Sequence, residues 1–169
     1  PFLFHCFSSL VHALACFGVF KLLRSIVPQK PDVAFATAIL FAVSPFQTGS
    51  VLYAYALNDL LSAVGILAAV YFFWDSSNKH NLTWSRVAFA LALACKQSSI
   101  VAPALIAITI FLFSESGIPW KRLRGHIGIA AFYLIARFWY FGSIGDVEGE
   151  GNTHPALAYL GSQGFLVWK

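Results

Sequence analysis

The sequence predicts an all-α, polytopic transmembrane bundle with about six membrane-crossing helices among its 169 residues. Three observations carry that expectation. The composition is 59% hydrophobic and only 11% charged, with a mean hydropathy of +0.72. Soluble domains carry roughly 25% charged residues, so this chain belongs to lipid rather than water. Apolar runs alternate with short polar breaks, and a bilayer crossing takes about 20 helical residues, fewer inside a bundle. Lysine and arginine, finally, gather in alternate breaks, which is the pattern of the positive-inside rule.

The first run, residues 2–20, carries His5 and His12 seven positions apart with Ser8 and Ser9 between them. That spacing is two helical turns along one face. No third ligand is spaced for a metal, so no metal site is expected. The stripe then serves either hydrogen bonding between helices or support of a neighbouring catalytic loop. Residues 33–45 and 51–74 form the second and third runs, and Gln47, Thr48, Asn58 and Asp59 mark the turn between them. A fifth run covers residues 126–142 and holds Arg137 toward its end; the glycine-rich, acidic stretch that follows, "GSIGDVEGEGNTH", ends in His154 and is expected to be an exposed loop. Cys6, Cys16 and Cys95 lie in or beside apolar runs, where a free thiol packs as a small hydrophobe. No repeat or linker divides the chain, so residues 1–169 are expected to be part of a single transmembrane domain. The start at Pro1 and the lack of methionine point to a fragment with N- and C-terminal parts missing.

The fourth run, residues 87–113, is interrupted by Lys96, Gln97, Ser98 and Ser99. A charge at bilayer depth marks a functional site by default. The run is either one long helix with Lys96 near its middle or a tight pair turning at residues 96–99. Only the pair places the breaks containing Lys21, Arg24 and Lys30, then Lys79 and Arg86, then Lys121, Arg122 and Arg124 on one side of the membrane. The breaks at residues 21–32, 75–86 and 117–125 are therefore expected to be cytoplasmic loops, and Lys96 to lie at the opposite face. Lys96 and Arg137 are the cations placed to face a phosphate there, the one as a point charge and the other as a fork. Simple snorkelling to the interface is the alternative for both. Asp59 is expected to pair with one of these cations or to cap its own helix. "NLT" at residues 81–83 matches the glycosylation sequon, but on the side where no glycan is expected.

The order of these segments resembles the polytopic glycosyltransferases of the C superfamily. Within it the chain is most similar to the protein O-mannosyltransferase-like group, including the membrane part of the tetratricopeptide-repeat O-mannosyltransferases. The family opens a span with Phe-His, then Asn and a second His; here "FHCFSSLVHAL" keeps His5 and His12, with Ser8 at the Asn position. A His-Pro-x-His-Thr-Glu-x-Val motif followed by Arg-x-Asp-Leu-Leu corresponds to "SPFQTGSVLYAYALNDLLS", which keeps Pro45, Thr48, Val51, Asp59, Leu60 and Leu61. The family's Ser-Lys-Glu, with proline seven residues after the lysine, corresponds to "CKQSSIVAP" with Lys96 and Pro103. Tyr-Leu-x-x-Arg appears as "YLIAR" with Arg137, and an Asn-Pro-like luminal turn as "NTHPA". Gln47, Gly49, Leu57 and Gln97 stand where the family has His, Glu, Arg and Glu.

The resemblance implies inverting transfer of a sugar, mannose-like, from a polyprenyl-phosphate donor to an acceptor hydroxyl on the luminal or periplasmic side. The family's catalytic carboxylate lies in a loop that would precede Pro1, and it removes the acceptor proton as the lipid phosphate leaves. Lys96 and Arg137 would bind that phosphate, while His5, His12, Gln47, Asp59, Gln97 and His154 would form a supporting polar face. The absence of an acid at Gln97 would leave Lys96 without an adjacent carboxylate and open to an anion. No cofactor is expected beyond the lipid-linked sugar. The expected partners are the bilayer, that donor and an acceptor protein or glycan, with no nucleic acid. The expected location is the endoplasmic reticulum membrane in a eukaryote, or the inner membrane in a bacterium. Two other functions remain open: a non-catalytic scaffold of the same fold, favoured by the neutralised positions, and a transporter or flippase of lipid-linked sugars.

Overall fold

The computed structural model describes residues 2–45, 56–75, 78–114 and 117–141. They form α1 (Phe2–Ile26), α2 (Pro31–Ala42), α3 (Leu57–Trp74), α4 (Lys79–Cys95), a 3-10 segment (Gln97–Val101), α5 (Ala102–Phe113) and α6 (Trp120–Phe141), with no strand among the described residues. Two of these helices, over Leu3–Ile26 and Leu57–Trp74, are long and apolar enough to cross a membrane; α2 and the stretch Gln97–Phe113 are apolar but shorter. The chain divides into two compact units, residues 1–131 and residues 132–169.

In the first unit each helix direction follows from its contacts. Phe20 meets Phe35 edge-on at 6.5 Å and the His12 ring lies 3.3 Å from the Ala42 carbonyl, so α1 and α2 run antiparallel. Gly18 faces Leu67, and the Trp74 indole donates to the Ser25 carbonyl at 3.2 Å, so α1 and α3 run parallel. Gly65 packs on Ala92 and Ser85 donates to the Ala69 carbonyl at 2.6 Å, which sets α4 antiparallel to α3. Ser99 reaches Ser62 near the start of α3, whereas Ile110 joins Val70 and Phe73 near its end. α5 therefore runs back along α3, opposite in direction to α4. Residues 87–113 form a helical pair, not one long helix.

One consequence is that the two ends of this unit differ in charge. Lys21, Arg24, Lys30, Lys79, Lys121, Arg122 and Arg124 lie where α1 and α3 finish and α4 and α6 begin, with Arg86 two turns into α4. Lys96 and Asp59 lie at the other end.

The helices overrun the apolar runs at the basic end, which corrects the expected loops. α1 continues through Lys21 and Arg24 to Ile26, α4 begins at Lys79 and α6 at Trp120. Lysine and arginine are good helix formers, so a helix continues after its apolar stretch stops. Asn78 caps α4 by accepting from the His80 N–H at 3.2 Å. Asn81 of the sequon lies inside that first turn, and its amide donates to the Asp75 carbonyl at 2.7 Å.

Several polar side chains are buried and many large apolar ones are exposed. Ser8, Ser85, Ser99 and His126 are fully buried, while Phe111 is 74% and Leu40 68% exposed. An outer surface this apolar fits contact with lipid. An apolar core cluster sits toward the basic end, where Val70, Phe73, Ile106, Ile110 and Leu123 pack together. In the second unit, residues 132–141 are the last turns of α6 and carry Arg137, Trp139 and Tyr140, the last two exposed.

Candidate functional site

The turn after Cys95 is built by three local devices. Lys96 leaves the helix in an extended conformation (φ −153°, ψ 131°), while its N–H still donates to the Ala92 carbonyl at 2.9 Å. Pro103 lies in the first turn of α5, where a missing N–H leaves no hydrogen bond unmade. Between them Ser99 is fully buried and fully employed: its hydroxyl donates to the Ala92 carbonyl at 2.9 Å and lies 2.8 Å from the Ser62 hydroxyl. The turn is thereby pinned to both α3 and α4.

That anchoring sends the Lys96 side chain across to α3, where its ammonium forms an ion pair with the Asp59 carboxylate. Asp59 lies in the first turn of α3, so the helix dipole also favours its charge. Both side chains are about 40% exposed. An ion pair this open to its surroundings contributes at most about 1 kcal/mol in water. It is a separable contact, and an ammonium has three N–H donors to distribute. Of the two outcomes expected for Asp59, pairing with a cation is the one found, and the cation is Lys96. Gln97 supplies no adjacent carboxylate, as expected, but Lys96 is not thereby left open, because Asp59 arrives from another helix.

Of the remaining predicted residues, Gln97 opens the 3-10 segment beside Lys96 and is half-buried. His12 reaches the Ala42 carbonyl and stacks on Phe41 at 5.7 Å, so it ties α1 to α2 as the hydrogen-bonding reading requires. His5 is exposed, and its ring meets only its neighbour Phe4 edge-on among the aromatic contacts of the described residues. Arg137 belongs to the second unit. Gln47 and His154 lie outside the described residues. No group of three metal-binding side chains occurs among the described residues.

Sequence reasoning missed a buried polar contact. His126 is fully buried between Phe73, with ring centroids 5.3 Å apart, and Phe89, at 5.8 Å. Its Nε2 lies 2.9 Å from the Ser85 hydroxyl. Arg86 crosses the backbone of α6 at Gly125, where any Cβ would collide with its guanidinium. Recognising that the helix begins at Trp120, two turns before the apolar run, would have placed His126 on an inward face.

Comparison with known proteins adds no relative: no family model, curated protein or solved structure matches the chain.

Proposed function

We propose that this chain is part of a multi-pass membrane glycosyltransferase that moves a mannose-like sugar from a polyprenyl-phosphate donor to an acceptor hydroxyl. In this reading the shorter helices cross together with α1 and α3 as a bundle of about six, in the endoplasmic reticulum or bacterial inner membrane. The observation that carries it is the Lys96–Asp59 pair, half-exposed in a pinned turn at the end opposite the basic residues. Lys96 would exchange part of its contact with Asp59 for the donor phosphate and stabilise the charge that grows on it as the glycosidic bond breaks. Asp59 would hold the ammonium in place between turnovers.

The second reading is a non-catalytic scaffold of the same fold, favoured by a specific observation: Asp59 already neutralises Lys96, and Leu57 and Gln97 add no charge to the same end. Donor binding by the intact protein in detergent separates the two. Lys96→Gln should weaken binding of a polyprenyl-phosphate sugar by about 1.5–3 kcal/mol, the scale of a charged hydrogen bond. Asp59→Asn should not weaken it, because it releases the ammonium from its internal partner. Unchanged donor affinity in a normally inserted Lys96→Gln protein would leave the lysine as an interfacial anchor and favour the scaffold.

A further inference from the structure

Toward the basic end of the first unit, a groove of about 270 Å³ runs between α1 and α3. α1 contributes Leu14, Phe17, Gly18 and Lys21, and α3 contributes Leu67, Ala68 and Tyr71 among others. Both sets recur at three- and four-residue spacing, so each is one stripe of a helix. Gly18 and Ala68 give the groove its depth, since they are small residues set among large ones. Its polarity is graded along the helix axis. From Leu14 the walls are apolar for seven residues, roughly 10 Å at 1.5 Å per residue. At the far end stand Lys21 and Tyr71, brought level by the parallel register that also joins Ser25 to Trp74. The Lys21 ammonium lies 5.5 Å from the centre of the Phe17 ring, over the groove wall, and Arg24 follows one turn further on.

A slot that is apolar along its length and cationic at one end complements an amphiphile with an anionic head. We infer that this groove holds an acyl chain of an anionic glycerophospholipid, with the headgroup phosphate on Lys21 and Tyr71. The inference rests on α1 and α3 crossing a bilayer, and it is independent of the donor site at Lys96, which lies at the opposite end. The basic residues concentrated at this end favour an anionic leaflet on the same side. The ring of Phe17 keeps the ammonium beside the groove mouth rather than extended into water.

The test is a native mass-spectrometric titration of the full chain in detergent with phosphatidylglycerol or phosphatidylcholine, reading the apparent Kd of the first bound lipid. Phosphatidylglycerol should bind more tightly. Lys21→Gln should weaken it about fivefold or more, the scale of one lysine against an anionic membrane surface, whereas Lys79→Gln, which removes the same charge at the same end but off the groove, should change it by less than about twofold. Gly18→Leu should abolish the first binding step by filling the slot; its Cβ would lie at an ordinary 3.4 Å from Leu67, so the backbone has room for it. Ala68→Leu fills the slot from the other helix, and helicity by circular dichroism checks both proteins. Equal losses in Lys21→Gln and Lys79→Gln would overturn the inference in favour of diffuse attraction. So would equal binding of the two lipids, or full binding in a natively helical groove-filled variant.

Discussion

A hydroxyl has one proton, and Ser85 spends it on the Ala69 carbonyl at 2.6 Å. The contact between Ser85 and His126 must therefore run the other way, with the imidazole Nε2–H donating. Ser85→Ala would leave that buried donor without its acceptor and should destabilise the protein by about 1–3 kcal/mol. Replacing His126 by Phe in the same background should recover part of the loss, since two apolar partners leave nothing unmade. Thermal unfolding in detergent checks both, and a Ser85→Ala protein as stable as the wild type would contradict the assignment. Residues at this scale were legible where polarity broke an apolar run. Lys96 and Asp59 stood out for that reason, and their pairing followed from the two turns sharing an end. His126 did not stand out, because it sits at the border of its run and next to a basic segment that looks like a loop until the helix start is known.

At the scale of elements, α3 and α4 approach closely because their contact is made of small side chains. Gly65 and Ala69 on α3 meet Ala88, Ala92 and Ser85 on α4, and a Cβ at Gly65 would lie 2.8 Å from that of Ala92. Helices in lipid associate through such small-residue seams, where packing and buried hydrogen bonds replace the hydrophobic effect. Gly65→Leu should force the pair apart and destabilise the protein by at least about 1–3 kcal/mol, the usual range for overpacking. The same substitution at Gly128, where nothing lies within 4 Å, should be nearly silent. Equal melting temperatures for the two variants would contradict a close α3–α4 seam. Helix existence was readable from the apolar runs, but helix starts were not. The first apolar run ends at Phe20 and the fourth begins at Val87, whereas the backbone of α1 stays helical through Ile26 and that of α4 is helical from Lys79. The neighbours of each helix were equally hidden: nothing in the order of the runs says that α1 packs on both α2 and α3, the second contact including the Trp74–Ser25 bond.

At the scale of the whole molecule, the main feature is an asymmetry of charge. The first unit places its basic residues at one end and the Lys96–Asp59 pair at the other, beneath a largely apolar exterior. Under the proposed function that arrangement would put each turn on a definite side of a membrane, with α4 and α5 as a reversing pair. Both the proposed donor site and the lipid groove depend on this, one at each end. The direct measurement is the labelling of single cysteines by a membrane-impermeant maleimide, in a background lacking Cys6, Cys16 and Cys95. Asn78 and Ser98 are exposed at opposite ends of α4 and serve as reporters. Asn78→Cys should react only from the cytoplasmic side and Ser98→Cys only from the luminal or periplasmic side. Reaction of both from the same side would contradict the account.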